Sequence, residues 1–181
     1  PFAQPFTSAM TVFGWNGARQ NPINQREQDV NVLQAAILNN GLLLRDNVRL
    51  GLTSAFTQLA LQAEDPTTLV KQTYLRILGR TPDKVELNMF VELIRDGFSD
   101  RRISVSPAEL ALAANQKYQL PRDLVSWSNH NSMKANEIKL VLRKAVYRGE
   151  SPTPQLNTAW REQMEDMVWV LFNSPEFIYI R

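Results

Sequence analysis

His130 is the sole histidine of the chain, and its nearest acidic neighbours, Asp123 and Glu137, are each seven residues away. A metal site here would need carboxylate or carbonyl partners, and no such cluster surrounds His130 in sequence. No base partner is visible either, so a hydrogen-bonded or surface role is the expectation. The stretch from Trp127 to Asn131 is still the most unusual polar-aromatic run, and the first place to look for a small-ligand pocket. Glu162, Glu165 and Asp166 form an acidic face on the last predicted helix. Paired carboxylates can do acid–base work, but only in a pocket and at separations of roughly 5–9.5 Å. Near a helix start the macrodipole already favours acids by about 0.3–1 kcal/mol each, so a solvated face is expected. Arg26-Glu27 opens the first predicted helix beside an aromatic arm, where a capping or paired role outweighs a catalytic one. No G-x-S-x-G elbow, phosphate-cradling glycine loop or dinucleotide fingerprint occurs. Met133, Met164 and Met167 fall at core-like spacings and read as packing.

Composition narrows the classes further. The 181 residues are 44% hydrophobic, enough for one domain with a real core. The longest apolar run, Met167 to Phe172, is far shorter than the ~18 residues a bilayer span needs. Twenty basic and 18 acidic residues leave a net charge of +2, and a pI near 9.1 follows from that small excess. A nucleic-acid footprint needs basic residues gathered on one face. The densest cluster is Arg101-Arg102, with acids interspersed elsewhere, so nucleic acid is not an expected partner. With no cysteine, disulfides, thiolate metal sites, haem attachment through Cys-x-x-Cys-His and cysteine nucleophiles are excluded for this chain. A start at Pro1, with no initiator Met and no signal peptide, reads as a processed or trimmed piece of a longer protein.

The elements that must position these residues are helical. Residues 1–24 hold Pro1, Pro5, Pro22, Gly14 and Gly17, which predicts an irregular arm carrying Phe2, Phe6, Phe13 and Trp15. Asn24 and Glu27 have cap spacing for a helix over about Arg26 to Asn40, with Val30, Leu33 and Ile37 on one face and Gly41 as a left-handed stop. A second helix is expected from about Val48 to Gln62, weakened at Gly51. Asp65-Pro66 starts a third, closed by Gly79, and Thr81-Pro82 starts a fourth, closed near Gly97. The fourth carries Leu87, Phe90, Val91 and Ile94 at i, i+3, i+4 and i+7. Ser106-Pro107 opens a short helix through Ala114, and a long one spans about Met133 to Arg148 with Ile138, Val141, Leu142 and Ala145 inward. Ser151 to Asn157 reads as a linker turn. The last helix, Thr158 to Asn173, places Trp160, Met164, Met167, Val168 and Leu171 on one face. Trp169 and Phe172 make its final turn apolar all round, so that end should be deeply buried. Phe177 to Ile180 then continues as an extended apolar tail.

Two segments carry more than helix signal. One is Tyr74-Leu75-Arg76-Ile77-Leu78-Gly79-Arg80-Thr81-Pro82 with Glu86 four residues on, and the other is the run MVWVLFNSPEFIY from Met167 to Tyr179. Together they resemble the C-terminal domain of unknown function in the large planctomycete-type cytochrome c proteins. Arg26-Glu27, Asn31 to Gln34 and Asn39-Asn40-Gly41 resemble the same family's earlier segment, so the likeness covers about Arg26 to Arg181. The resemblance implies a parent protein exported to the periplasm, with haem on a separate upstream domain and none in this chain. It implies no known catalytic activity.

The expectation is therefore all-α: an irregular bundle of six to seven helices in a single domain over 25–181, with an extended N-terminal arm (1–24) and a C-terminal tail. Function is expected to be structural or interactive, the partner being the remainder of the parent chain or another subunit, without a transmembrane segment. The alternative is an accessory part of an exported, polysaccharide-related enzyme whose site is shared between domains. Arg26, Glu27, Arg80, Trp127, His130, Asn173, Glu176 and Phe177 are the candidate interaction or structural residues; none is assigned to catalysis, a cofactor or a metal. Arg80 is expected to bond the last carbonyls of the helix before it, Thr81 to cap the helix after it, Asn173 to adopt the left-handed conformation, and Glu176 to pair with an arginine such as Arg80.

Overall fold

In the computed structural model, residues 7–14, 32–115, 125–148 and 150–178 are described. The fold is all-α, with ten helices among the described residues: α1 (Thr7–Val12), α2 (Val32–Asn40), α3 (Leu42–Val48), α4 (Ala55–Gln62), α5 (Pro66–Leu78), α6 (Lys84–Arg95), α7 (Pro107–Asn115), α8 (Met133–Arg148), α9 (Thr158–Phe172) and α10 (Pro175–Ile178). The excess over six or seven comes from short helices in the arm, between Gly41 and Val48, and in the tail, where none was expected.

The core is built on α9. Trp160, Met164, Met167, Val168 and Leu171 are all buried, as their spacing requires. They meet Leu69, Val70, Tyr74 and Ile77 of α5, Phe90 and Ile94 of α6, and Leu44 and Val48 of α3 in one cluster. In helix terms, α5 packs on α4, α6, α9 and α10, and α9 also packs on α3, α6 and α10. The helix starts explain why the segments stop where they do. Asp65 accepts from Thr68 N at 2.9 Å with Pro66 in the first turn, and Asn157 accepts from Ala159 N at 3.0 Å. Gly79 closes α5 at φ 70°, a conformation that strains any residue with a Cβ.

Several expectations need correction. Residues 7–12 of the arm are helical, not irregular. Gly41 is extended (φ −84°) and stands at the N-cap of α3, so the chain leaves α2 and enters a new helix rather than stopping in a left-handed turn. Of the expected helix from Val48 to Gln62 only the Ala55–Gln62 part, α4, is helical; Val48 ends α3, and Gly51 between them forms an isolated bridge with Pro152. α6 is capped by Asp83, not Thr81, with a capping box completed by Glu86. Residues 151–157 are more than a linker: Thr153 and Leu156 are buried, Leu156 bridges Arg102, and Thr153 N donates to Leu50 O at 2.8 Å. The last turn of α9 is one-sided, since Trp169 and Val170 are exposed while Leu171 is buried. The expected extended tail instead turns into α10, with Ser174 Oγ accepting from Phe177 N at 3.2 Å; residues 179–181 lie outside the described residues. In α8 Ile138 is buried but Val141 is exposed, and Met133 is exposed where packing was expected.

Candidate functional site

Arg80 lies in the turn between α5 and α6, and its guanidinium gathers residues from three places in the chain. Its Nη1 and Nη2 each donate to a different carboxylate oxygen of Glu86 at 2.8 Å. On the other side, Nε donates to Glu176 Oε1 at 2.7 Å and Nη2 to Glu176 Oε2 at 2.7 Å. Nη1 also donates to Thr81 O at 3.1 Å. The planar fork is thus bidentate twice over, a geometry that an ammonium could not reproduce. Beneath it lies the buried ring of Tyr74, whose centroid is 5.4 Å from the guanidinium carbon.

Electrostatics follow from that geometry. Hydrogen bonds from Arg80 hold Glu86 down to about 2, and the same donor lowers Glu176. Arg80 is held further into its charged range, first by Glu86 and then by Glu176. Burial pushes the Tyr74 phenol up to about 12. Glu86 also serves its own helix, because its Oε2 accepts from Asp83 N at 2.8 Å, so one carboxylate caps α6 and pairs Arg80.

The terminal motif completes this cluster. Asn173 ends α9 at φ −92° and ψ 3°, not in the left-handed region; its Nδ2 donates to Trp169 O at 2.9 Å instead. Ser174 Oγ donates to Leu171 O at 2.8 Å, Pro175 starts α10, and Glu176 reaches Arg80. Phe177 then packs edge-on against Phe172, centroids 4.9 Å apart, and against the core. The two motifs, 96 residues apart between Arg80 and Glu176, are one clamp that docks α10 across α5 and α9. Arg80 does not bond the last carbonyls of α5 as expected; the two carboxylates and Thr81 O take its donors.

His130 and Trp127 are adjacent but remote in kind from this clamp. Their rings stack 5.3 Å apart with planes 25° from parallel, and His130 Nδ1 shares a hydrogen bond with Trp127 O. Trp127 is 84% exposed. Ser126 N donates to Asn129 Oδ1 at 2.7 Å and Lys139 Nζ to His130 O at 2.6 Å, so the turn is braced. Arg26 and Glu27 lie outside the described residues. Glu162 and Asp166 are exposed, while Glu165 is half-buried and accepts from Leu50 N at 2.8 Å, which ties α9 to the α3–α4 turn. Among the described residues, no group of three or more His, Cys, Asp or Glu is placed to hold a metal ion.

A buried charged group escaped sequence reasoning. Arg101, paired with Arg102 as a basic cluster, is only 3% exposed. Its Nε donates to Ala60 O at 2.8 Å, Nη1 to Phe98 O at 2.6 Å, and Nη2 to Ala63 O. The guanidinium lies over the Phe98 ring at 3.6 Å and near Trp160 at 5.7 Å. Burial pulls it down to about 10, still far above neutral pH, so a full cation closes the end of α4 using backbone carbonyls.

No family model matches this chain, and no curated protein or solved structure matches it.

Proposed function

We propose that this chain is a non-catalytic helical interaction domain of an exported multidomain protein of the planctomycete cytochrome c type, docking on the rest of that protein or on a partner subunit. The observation that carries this reading is the outer face of α6. Val85, Met89 and Leu93 follow one another at i, i+4 and i+8 and are exposed, Val85 by 78%, while Phe90 and Ile94 on the opposite face fill the core. Aliphatic residues on successive turns of a well-capped helix are the anchors by which one helix is recognised by another protein. The residues of the two motifs support it from the other direction, because the polar groups of Arg80, Glu86 and Glu176 are engaged with each other. In this reading haem sits on a separate domain, and the protein is periplasmic.

The test is binding of the chain to the protein that co-purifies with it from its native source. Wild type should form a complex on gel filtration, and Met89→Lys should weaken it by about tenfold or more, as for a central apolar anchor. A monodisperse monomer that binds no other part of its parent protein and no co-purifying subunit refutes the proposal.

A further inference from the structure

α10 is a single turn of four residues, none of them buried. Glu176 pairs with Arg80 at the surface, the two side chains being 45% and 38% exposed, and Phe177 rests edge-on against Phe172. An exposed ion pair and a half-buried ring hold a helix weakly, so α10 is a latch that opens and closes on the body of the fold.

The seat beneath the latch is organised without it. Glu86 takes one edge of the Arg80 guanidinium, Thr81 O accepts from Nη1, and the Tyr74 ring lies under the plane. All three belong to α5, α6 or the turn between them, so the guanidinium stays aimed when α10 lifts. Its Nε and Nη2 are left to take a second carboxylate bidentately, as they take Glu176. Beside it Phe172, itself in T-shaped contact with the buried Phe56 at 6.2 Å, gives an incoming ring a partner. The seat therefore asks for a carboxylate and an aromatic ring on adjacent residues.

Two features of the chain say which molecule supplies them. Ser174 precedes Pro175, and proline pushes the residue before it away from helical geometry, so α9 breaks there at a ready hinge. Every other copy of the chain offers an identical seat, and exchange of an identical element forfeits no contact that closure within one chain would make. Next to the hinge, on the last turn of α9, Trp169 and Val170 are 40% and 44% exposed. In a two-fold exchange the hinges cross near the symmetry axis, where each copy's Trp169 and Val170 meet their counterparts, a contact the monomer lacks.

We propose that the Arg80–Phe172 seat is a docking site for the α10 of a second copy of this chain, exchanged across a two-fold axis. Each copy then completes the other's clamp with Glu176 and Phe177. The outer face of α6 takes no part in the exchange. A short hinge keeps the tail at an effective concentration on the order of millimolar over its own seat, so the monomer prevails at micromolar protein and exchange grows as the protein is concentrated.

The experiment mixes two full-length variants. Arg80→Ala keeps the tail and lacks the fork; Glu176→Ala with Phe177→Ala keeps the fork and lacks the tail. Only the mixture holds both halves of an exchanged clamp. At roughly 100 µM its dimer fraction, read by gel filtration with light scattering, should exceed that of either variant alone about tenfold. Trp169→Lys in both partners should lower that fraction severalfold, because two cations then face each other at the axis. A mixture no richer in dimer than its components overturns the proposal. If either variant has lost its helical circular dichroism, the wild-type chain is titrated instead with a labelled peptide of residues 173–178, Asn-Ser-Pro-Glu-Phe-Ile. Binding that Glu176→Gln in the peptide weakens about tenfold supports the exchange. No binding by about 10 mM peptide, or binding indifferent to that change, overturns it.

Discussion

Arg101 supplies the most exacting prediction. Arg101→Met keeps an unbranched chain between Phe98 and Trp160 but removes the three donors to Ala60 O, Phe98 O and Ala63 O. Ala63 O keeps Arg102 Nη2 at 3.0 Å, so the loss falls on Ala60 and Phe98. A buried carbonyl deprived of its donor costs about 1–3 kcal/mol, giving about 2–6 kcal/mol for the pair. The stacked cation adds about 1 kcal/mol to the loss. Relief from burying a charge works the other way and offsets a few kcal/mol. The net expectation is a destabilisation of about 3 kcal/mol. Urea unfolding followed by tryptophan fluorescence should show the midpoint falling with the slope unchanged. Arg101→Lys should land between wild type and Arg101→Met, since one ammonium cannot reach three carbonyls arranged for a planar fork. Arg102→Met, at an exposed neighbour, should change stability by about 0.5 kcal/mol at most. Equal losses at 101 and 102, or a loss below about 1 kcal/mol at 101, would refute the account of the buried cation as the stopper of α4.

Other predictions follow from the clamp and the turns. Arg80→Ala, in a half-exposed and solvent-screened network, should cost about 1 kcal/mol, and added salt should shrink the difference in parallel urea titrations. Because Glu86 is held at about 2 in the folded chain against an ordinary 4.5, the unfolded chain takes up its proton first as the solution is acidified. That contribution is therefore complete above about pH 4.5 and fades as pH falls towards 2; Glu176 shifts in the same direction, and Arg80→Ala should flatten this part of the stability–pH curve. At Gly51 a Cβ would stand 2.5 Å from Glu150 Cδ, so Gly51→Ala should cost about 1–2 kcal/mol, most of it recovered in the background of Glu150→Ala. Gly79→Ala, at φ 70°, should lower stability by about 1 kcal/mol in the same assay.

Legibility in the sequence tracked periodicity. The inward faces of α5, α6 and α9, the starts at Asp65 and Asn157, and the span of α8 could all be read, because apolar spacing and caps act within a few residues. Contacts between distant segments could not, with one exception: Glu176 was expected to pair with an arginine such as Arg80, and it does. Arg101 looked like surface charge because composition does not reveal that three carbonyls wait around it. Gly51 looked like a weak point inside a helix, whereas it lies between α3 and α4 in a strand-like bridge with residue 152. A search for adjacent basic residues stops at Arg101-Arg102 and passes over α8, whose cations are spread along about four turns. Exposure of Trp169 and Val170 was hidden for a similar reason: an apolar letter does not say which side of its helix has a neighbour.

The position of α9 in the core has a consequence for synthesis. α3, α5 and α6 are made well before it, and their inner faces meet it rather than closing on each other alone. During translation, at about 5–20 residues per second, those faces must wait for residues 158–172 before the core can shut. A ribosome stalled before Asn157 should therefore hold a chain that is helical, sticky and easily cut by protease, and emergence of α9 should confer resistance in a single step.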